Sequence, residues 1–216
     1  MNMKEIQVRL TFTEMCLGTS SNNKEIHGDY IASKAPNAKS KEEEIAAIGV
    51  EQYEEKQMTV FPKDDDGNPF FWDYQIKGFF KDTCSALQRC KGNDYSKYSC
   101  EMKAYKKIID GCIFLKERRI PIQLSGDMGV LERPLRGQTA QGERIALASS
   151  ETIPAGSVIE FTVICLNDAN EGAVVEWLDY GRFRGLGQWR NGSWGRVVWE
   201  RLDNDGNVIG GNATAK

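Results

Sequence analysis

Between Lys4 and Phe12 the apolar residues Ile6, Val8, Leu10 and Phe12 occupy every second position, the period of a half-buried strand. The stretch runs into Cys16-Leu17-Gly18-Thr19-Ser20, a turn signal. Glu42 to Tyr53 predicts a short helix capped by Ser40, with Glu43 three residues on in a capping-box arrangement. Met58 to Phe61 predicts a short strand, and Asp64-Asp65-Asp66-Gly67-Asn68-Pro69 a turn. In Phe70 to Leu87, Tyr74-Gln75-Ile76 leads into Lys77-Gly78, after which Phe79, Phe80, Cys84 and Leu87 follow helical spacing.

Gly92 to Cys100 is polar and predicts a loop, Lys103 to Ile109 a short helix, and Cys112 to Leu115 and Ile120 to Leu124 two strands. Ser125 to Gly142, rich in glycine, predicts an extended loop or protruding hairpin, a length that in a compact domain usually serves function. Ile145 to Ile153, the turn Pro154-Ala155-Gly156 and Val158 to Leu166 form a strand–turn–strand unit. Glu171 to Tyr180 is a helix with Val174, Val175 and Leu178 on one face, and Val197 to Leu202 closes the sheet. The tail from Asp203 to Lys216 is turn-rich and reads as loose. Strand, helix, strands, strand, helix, strand predicts an α+β, ferredoxin-like (RRM-like) antiparallel sheet with helices on one face.

Composition narrows the class. The 216 residues suit one large domain, or one with an insertion; 40% hydrophobic and 27% charged residues is a soluble globular balance. No apolar run reaches membrane-spanning length and no signal segment opens the chain, so the expected location is the cytoplasm, with no membrane partner. A net charge of -3 argues against indiscriminate polyanion binding. The charges are uneven, however: Glu42 to Glu55 is acidic and Arg182 to Arg201 is arginine-rich, which places a polyanion site toward the C-terminal part. The six cysteines lack paired CxxC spacing and read as free thiols; metal ligation by Cys84, Cys90 and Cys100 is the lesser alternative. No metal and no cofactor is expected.

The chemistry concentrates in Gly181 to Val197, GRFRGLGQWRNGSWGRV, with five glycines, four arginines and two tryptophans. Glycine lets backbone N–H groups approach a ligand, arginine supplies a planar fork for phosphate, and tryptophan supplies a face for a base. A tight aromatic-packed hairpin with solubilising arginines fits the same residues. Lys77-Gly78, read as a strand-to-helix junction, outlines a second anion site. His27, the only histidine, is a candidate general base for RNA cleavage or an exposed polar residue. The three aspartates at 64 to 66 lack the spacing and downstream glutamate of a calcium loop and read as a solvated turn.

Four segments together resemble the RAMP superfamily of CRISPR-associated proteins, in particular the backbone subunits that polymerise along guide RNA. VRLTFTEMCLGTS is similar to that family's first strand ending in glycine, and Trp72 to Lys81 is similar to its "proline–glycine–Ser–Ser–x–Lys–Gly–x–x–Arg" motif. Glu151 to Phe161 resembles its "E-x-hydrophobic-P-x-G" strand pair, and Gly185 to Val197 its C-terminal glycine-rich loop. Trp72-Asp73-Tyr74-Gln75 departs from the usual Pro-Gly-Ser-Ser.

The resemblance implies one domain over residues 1–202 with a thumb-like insertion at 124–146. It implies single-stranded guide RNA as ligand, and other copies of the chain or other effector subunits as partners. The implied RNA contacts are Gln75, Lys77, Gly78 and Lys81 in the second motif, Arg118 and Arg119 in the basic cluster, and Arg133 and Arg136 in the thumb. In the loop they are Arg182, Arg184, Gly187, Trp189, Arg190, Trp194 and Arg196. The aspartate of target-cleaving subunits, carried over without gaps, falls on Gln57, which cannot act as an anionic metal ligand or base. The expected role is therefore non-catalytic RNA binding. The alternatives are an endoribonuclease that processes guide RNA with His27 as base, and a mobile-element mimic of an effector subunit.

Overall fold

The computed structural model describes residues 3–21, 58–92, 96–139 and 142–213. Ser40, the helix expected at Glu42 to Tyr53, His27 and Gln57 lie outside these residues. The architecture is α+β: two sheets, with four α-helices among the described residues.

β1 (Lys4–Phe12) is the centre of the larger sheet, and its alternation is real: Ile6, Val8, Leu10 and Phe12 are all buried. It pairs antiparallel with β10 (Val158–Cys165) on one side and β11 (Val197–Leu202) on the other. Beyond β10 lie β6 (Ile113–Leu115) and β7 (Arg119–Gln123), and β5 (Phe70–Trp72) pairs with β7 at the sheet edge. The seven-stranded order is β12-β11-β1-β10-β7-β5, with β6 also on β10. β12 (Val208–Gly211) pairs with β11, and Asn212 accepts from the Trp199 N–H at 2.9 Å. The segment expected to be a loose tail is thus bound to the sheet as far as residue 213.

α1 (Asp73–Leu87), α2 (Lys97–Glu101), α3 (Tyr105–Cys112) and α4 (Glu171–Tyr180) supply the helical layer. α1 buries Ile76, Phe79, Phe80, Cys84 and Leu87 in one core cluster with the inner face of the sheet and Trp177 of α4. Burying apolar area at about 25 cal/mol per Å² is the main stabilising term for such a layer. Trp177 is fully buried, and its ring nitrogen donates to Ser99 Oγ at 3.0 Å. The outer face of the three central strands is different: Gln7, Arg9, Thr11, Glu160, Thr162 and Glu200 line it, and Arg9 bridges Glu160 and Glu200.

The second sheet holds β2 (Cys16–Leu17), β3 (Ser20–Ser21), β4 (Thr59–Val60), β8 (Gly129–Thr139) and β9 (Gly142–Ile153). β8 and β9 form one long antiparallel hairpin with Gly129 opposite Thr152 and Thr139 opposite Gly142. The glycine-rich segment is therefore strand from Gly129 to Thr139, and β9 continues through the strand expected at Ile145 to Ile153. All six cysteines are free, and burial pushes the Cys84 and Cys165 thiols up to about 11. No helix among the described residues is long and apolar enough to cross a membrane.

Candidate nucleic-acid interface

The strand-to-helix junction sits at Trp72/Asp73, earlier than the sequence suggests. The Gln75 side chain is the reason: its Oε1 accepts from the Trp72 backbone N–H at 2.7 Å, the reach-back of a capping box. Its Nε2 donates to Thr19 Oγ1 at 2.5 Å, which ties the helix start to the link between β2 and β3. Asp73 occupies the first turn and pairs with Arg118, so a carboxylate already complements the helix dipole there.

Lys77 and Gly78 consequently lie inside the helix, and the anion site outlined at that dipeptide does not exist as a helix start. Lys77 Nζ donates to the Asp110 carbonyl at 3.3 Å and sits 4.4 Å from the Phe114 ring centroid; burial pulls its pKa down. Lys81 pairs with the Asp110 carboxylate at 2.6 Å. These two lysines join α1 to α3. Gly78 instead opens on a cleft of about 230 Å³ with Thr19, Gln75, Leu186, Gly187 and Arg190. A Cβ at Gly78 would meet nothing within 4 Å.

The glycines of the loop mostly serve the loop itself. A Cβ at Gly185 would lie 1.5 Å from the Gly195 carbonyl oxygen, because the two backbone strands cross there. Leu186 N–H donates to that carbonyl at 2.9 Å, and Gly195 N–H donates to Met15 at 2.8 Å. Gly187, with φ +84°, lies against Leu17 and Cys16 of β2. This much matches the packed-hairpin alternative. The loop is also latched to α1: Asp82 accepts from Arg184 Nε at 2.5 Å and from Arg190 Nη1 at 3.1 Å.

The remaining cationic and aromatic groups are arranged differently. Trp189 is 40% exposed and has φ +51°, a conformation that costs a non-glycine residue about 1 kcal/mol or more. The Arg133 guanidinium, from β8 opposite Ala148, lies 3.8 Å from the Trp189 ring centroid, and Trp194 packs on the same ring at 6.2 Å. Arg133 Nε, Trp194 Nε1 and Arg196 Nε are buried with no hydrogen-bond partner among the described residues. Arg196 does donate through Nη2 to Ser193 Oγ at 2.7 Å. Burial lowers the Arg133 pKa. Each buried donor without an acceptor costs roughly 1–3 kcal/mol. Arg182 lies 5.0 Å from the Phe183 ring, and the Arg136 side chain is outside the described residues.

A second arginine–aromatic cluster flanks the helix start. The Trp72 and Tyr74 rings are near-parallel, 6.3 Å apart at 15°, and Tyr74 is 54% exposed. Arg118 lies over both rings, and Arg119 over Phe70 and Trp72 at 5.4 Å each. Sequence reasoning took the two arginines and missed Trp72, Tyr74, Thr19 and Asp82. The W-x-Y spacing beside a strand end was a usable signal for the aromatics. Nothing local marks Asp82, whose partners are 102 and 108 residues away.

No group of three or more potential metal ligands comes together among the described residues. No protein-family profile and no curated protein matches the chain. Among solved structures it is similar to a chain in the cryo-EM structure of the Type III-B Cmr-beta bound to cognate target RNA. That likeness has a TM-score of 0.49 and 11% identity, covering 93% of this chain and 59% of the neighbour.

Proposed function

We propose that the chain is a non-catalytic single-stranded RNA-binding subunit of RAMP type, built on a ferredoxin-like core. The strand order β11-β1-β10-β7, antiparallel throughout, with α1 after β1 and α4 after β10, supports the core assignment. The observation that carries the RNA reading is the exposed Trp189 ring, with the Arg133 guanidinium 3.8 Å from its centroid and Trp194 packed on it. Phosphate oxygens are acceptors only, and a nucleobase supplies a stacking face.

The outer sheet face, the platform used by RNA-recognition domains, carries no aromatic ring on its three central strands, and its charged residues there are acidic apart from Arg9. RNA on this chain runs instead past Trp72 and Tyr74, over Gln75 and Gly78, to Arg190 and Trp189. The β8–β9 hairpin stands as the thumb, which meets the RNA or a neighbouring copy.

The test is binding of a labelled, unstructured RNA across a salt series. With three phosphates held, log K is expected to fall with log salt at a slope of about −2. The RNA should be recovered intact after incubation with Mg²⁺. Salt-independent binding, or none at low salt, overturns the reading; site-specific cleavage moves it to a processing enzyme.

A further inference from the structure

A different cavity, of about 630 Å³, lies beyond the C-terminal end of α1 and around the start of α3. Its cationic lining is Lys91, Lys103, Lys106 and Lys107, and no carboxylate lines it among the described residues. In a chain with 31 acidic against 28 basic residues, four lysines around one hollow with no acid among the described lining residues is a local reversal of charge. None of the four is in a salt bridge among the described residues, although Lys4, Lys63 and Lys81 each hold one.

The floor and walls are less polar. Met102 and Tyr105 pack against the core cluster, and Gln88 is spent on the Met102 carbonyl at 2.8 Å. Ala104 caps α3 in the left-handed region at φ +52°, and its side chain has no acceptor for the first-turn N–H groups. All four lysines are exposed, so their ammonium groups are open to an anion arriving from solvent. The hollow is broad and open to solvent, with the four lysines and Tyr105 in its lining.

We propose that this cavity binds a phosphorylated nucleotide, with the phosphates held by Lys91, Lys103, Lys106 and Lys107 and the base against Tyr105 and Met102. It is separate from the RNA path above. Gln75 and Gln88 are thirteen residues apart along and just past α1, about 20 Å at 1.5 Å per residue. The shared chemistry is a phosphate chain, whether on a free nucleotide or at the 5′ end of an RNA.

Cys100 lines the cavity and offers a direct readout, with the exposed Cys90 as internal control. The experiment follows alkylation of each thiol by iodoacetamide in the full chain, peptide by peptide, with inorganic triphosphate, ATP, 5′-triphosphorylated RNA or 5′-hydroxyl RNA added. The first two should slow Cys100 several-fold and leave Cys90 unchanged. Slowing by triphosphorylated but not hydroxyl RNA assigns the site to RNA ends as well; equal rates for both RNAs assign it to free nucleotide.

The double variant K103E/K106E should weaken ATP binding by about tenfold or more, as expected for losing one or two charge-assisted contacts. K106R, which keeps the charge, should retain it. Unprotected Cys100 at millimolar triphosphate, or equal protection in the double variant, overturns the site whether or not the chain binds RNA elsewhere.

Discussion

Gly185→Ala is expected to destabilise the protein by about 3 kcal/mol or more, a large effect for one methyl group. The added Cβ would sit 1.5 Å from the Gly195 carbonyl oxygen and 2.7 Å from Arg196 Cα, all backbone, so no side chain can swing away. Relief requires the two crossing strands of the loop to part. That breaks the Leu186 to Gly195 hydrogen bond and strains the contact from Gly195 to Met15. Gly78→Ala provides the contrast, because its Cβ enters open space on a helix. It is expected to raise stability by about 0.5–1 kcal/mol. Since Gly78 faces the cleft, the same change should weaken RNA binding. Urea denaturation midpoints and RNA affinities for the two variants separate the glycine that packs from the glycine that leaves room.

Trp189→Gly is the second large effect, and it falls on binding. The residue pays for a left-handed backbone that glycine adopts without cost, so the substitution relieves strain while deleting the ring. Stability is expected to change by less than about 1 kcal/mol, the relief offsetting lost contact with Arg133 and Trp194. RNA affinity should drop by about ten- to a hundredfold, the worth of one stacked base. Trp189→Phe should recover part of it. A binding loss matched by an equal loss of folding stability would instead make Trp189 a packing residue.

What the sequence reveals and what it hides divide along local and distant contacts. The period-two pattern of Ile6, Val8, Leu10 and Phe12 names β1 to the residue, and the apolar face of Glu171 to Tyr180 names α4, because neighbours along the chain decide both. The start of α1 is misplaced because Gln75 reaches back to Trp72 and across to Thr19, and the second of these contacts spans 56 residues. Lys77 and Lys81 look like phosphate ligands until Asp110 appears beside them from α3. Arg184 and Arg190 are likewise partly neutralised by Asp82. Net charge and residue type identify the arginine-rich loop as the chemically dense stretch. Only the fold shows that Arg133 of the hairpin stacks on Trp189, while two of its neighbours are held by a carboxylate.

The measurement closest to the central claim is ultraviolet crosslinking of a uniform single-stranded RNA to the full chain, with the crosslinked residues read by mass spectrometry. The proposed path places bases at Trp189 and at Trp72 or Tyr74, so crosslinks should concentrate in those peptides and fade as salt rises. Crosslinks confined to the outer sheet face around Gln7 and Thr162, with none at Trp189, Trp72 or Tyr74, would contradict it.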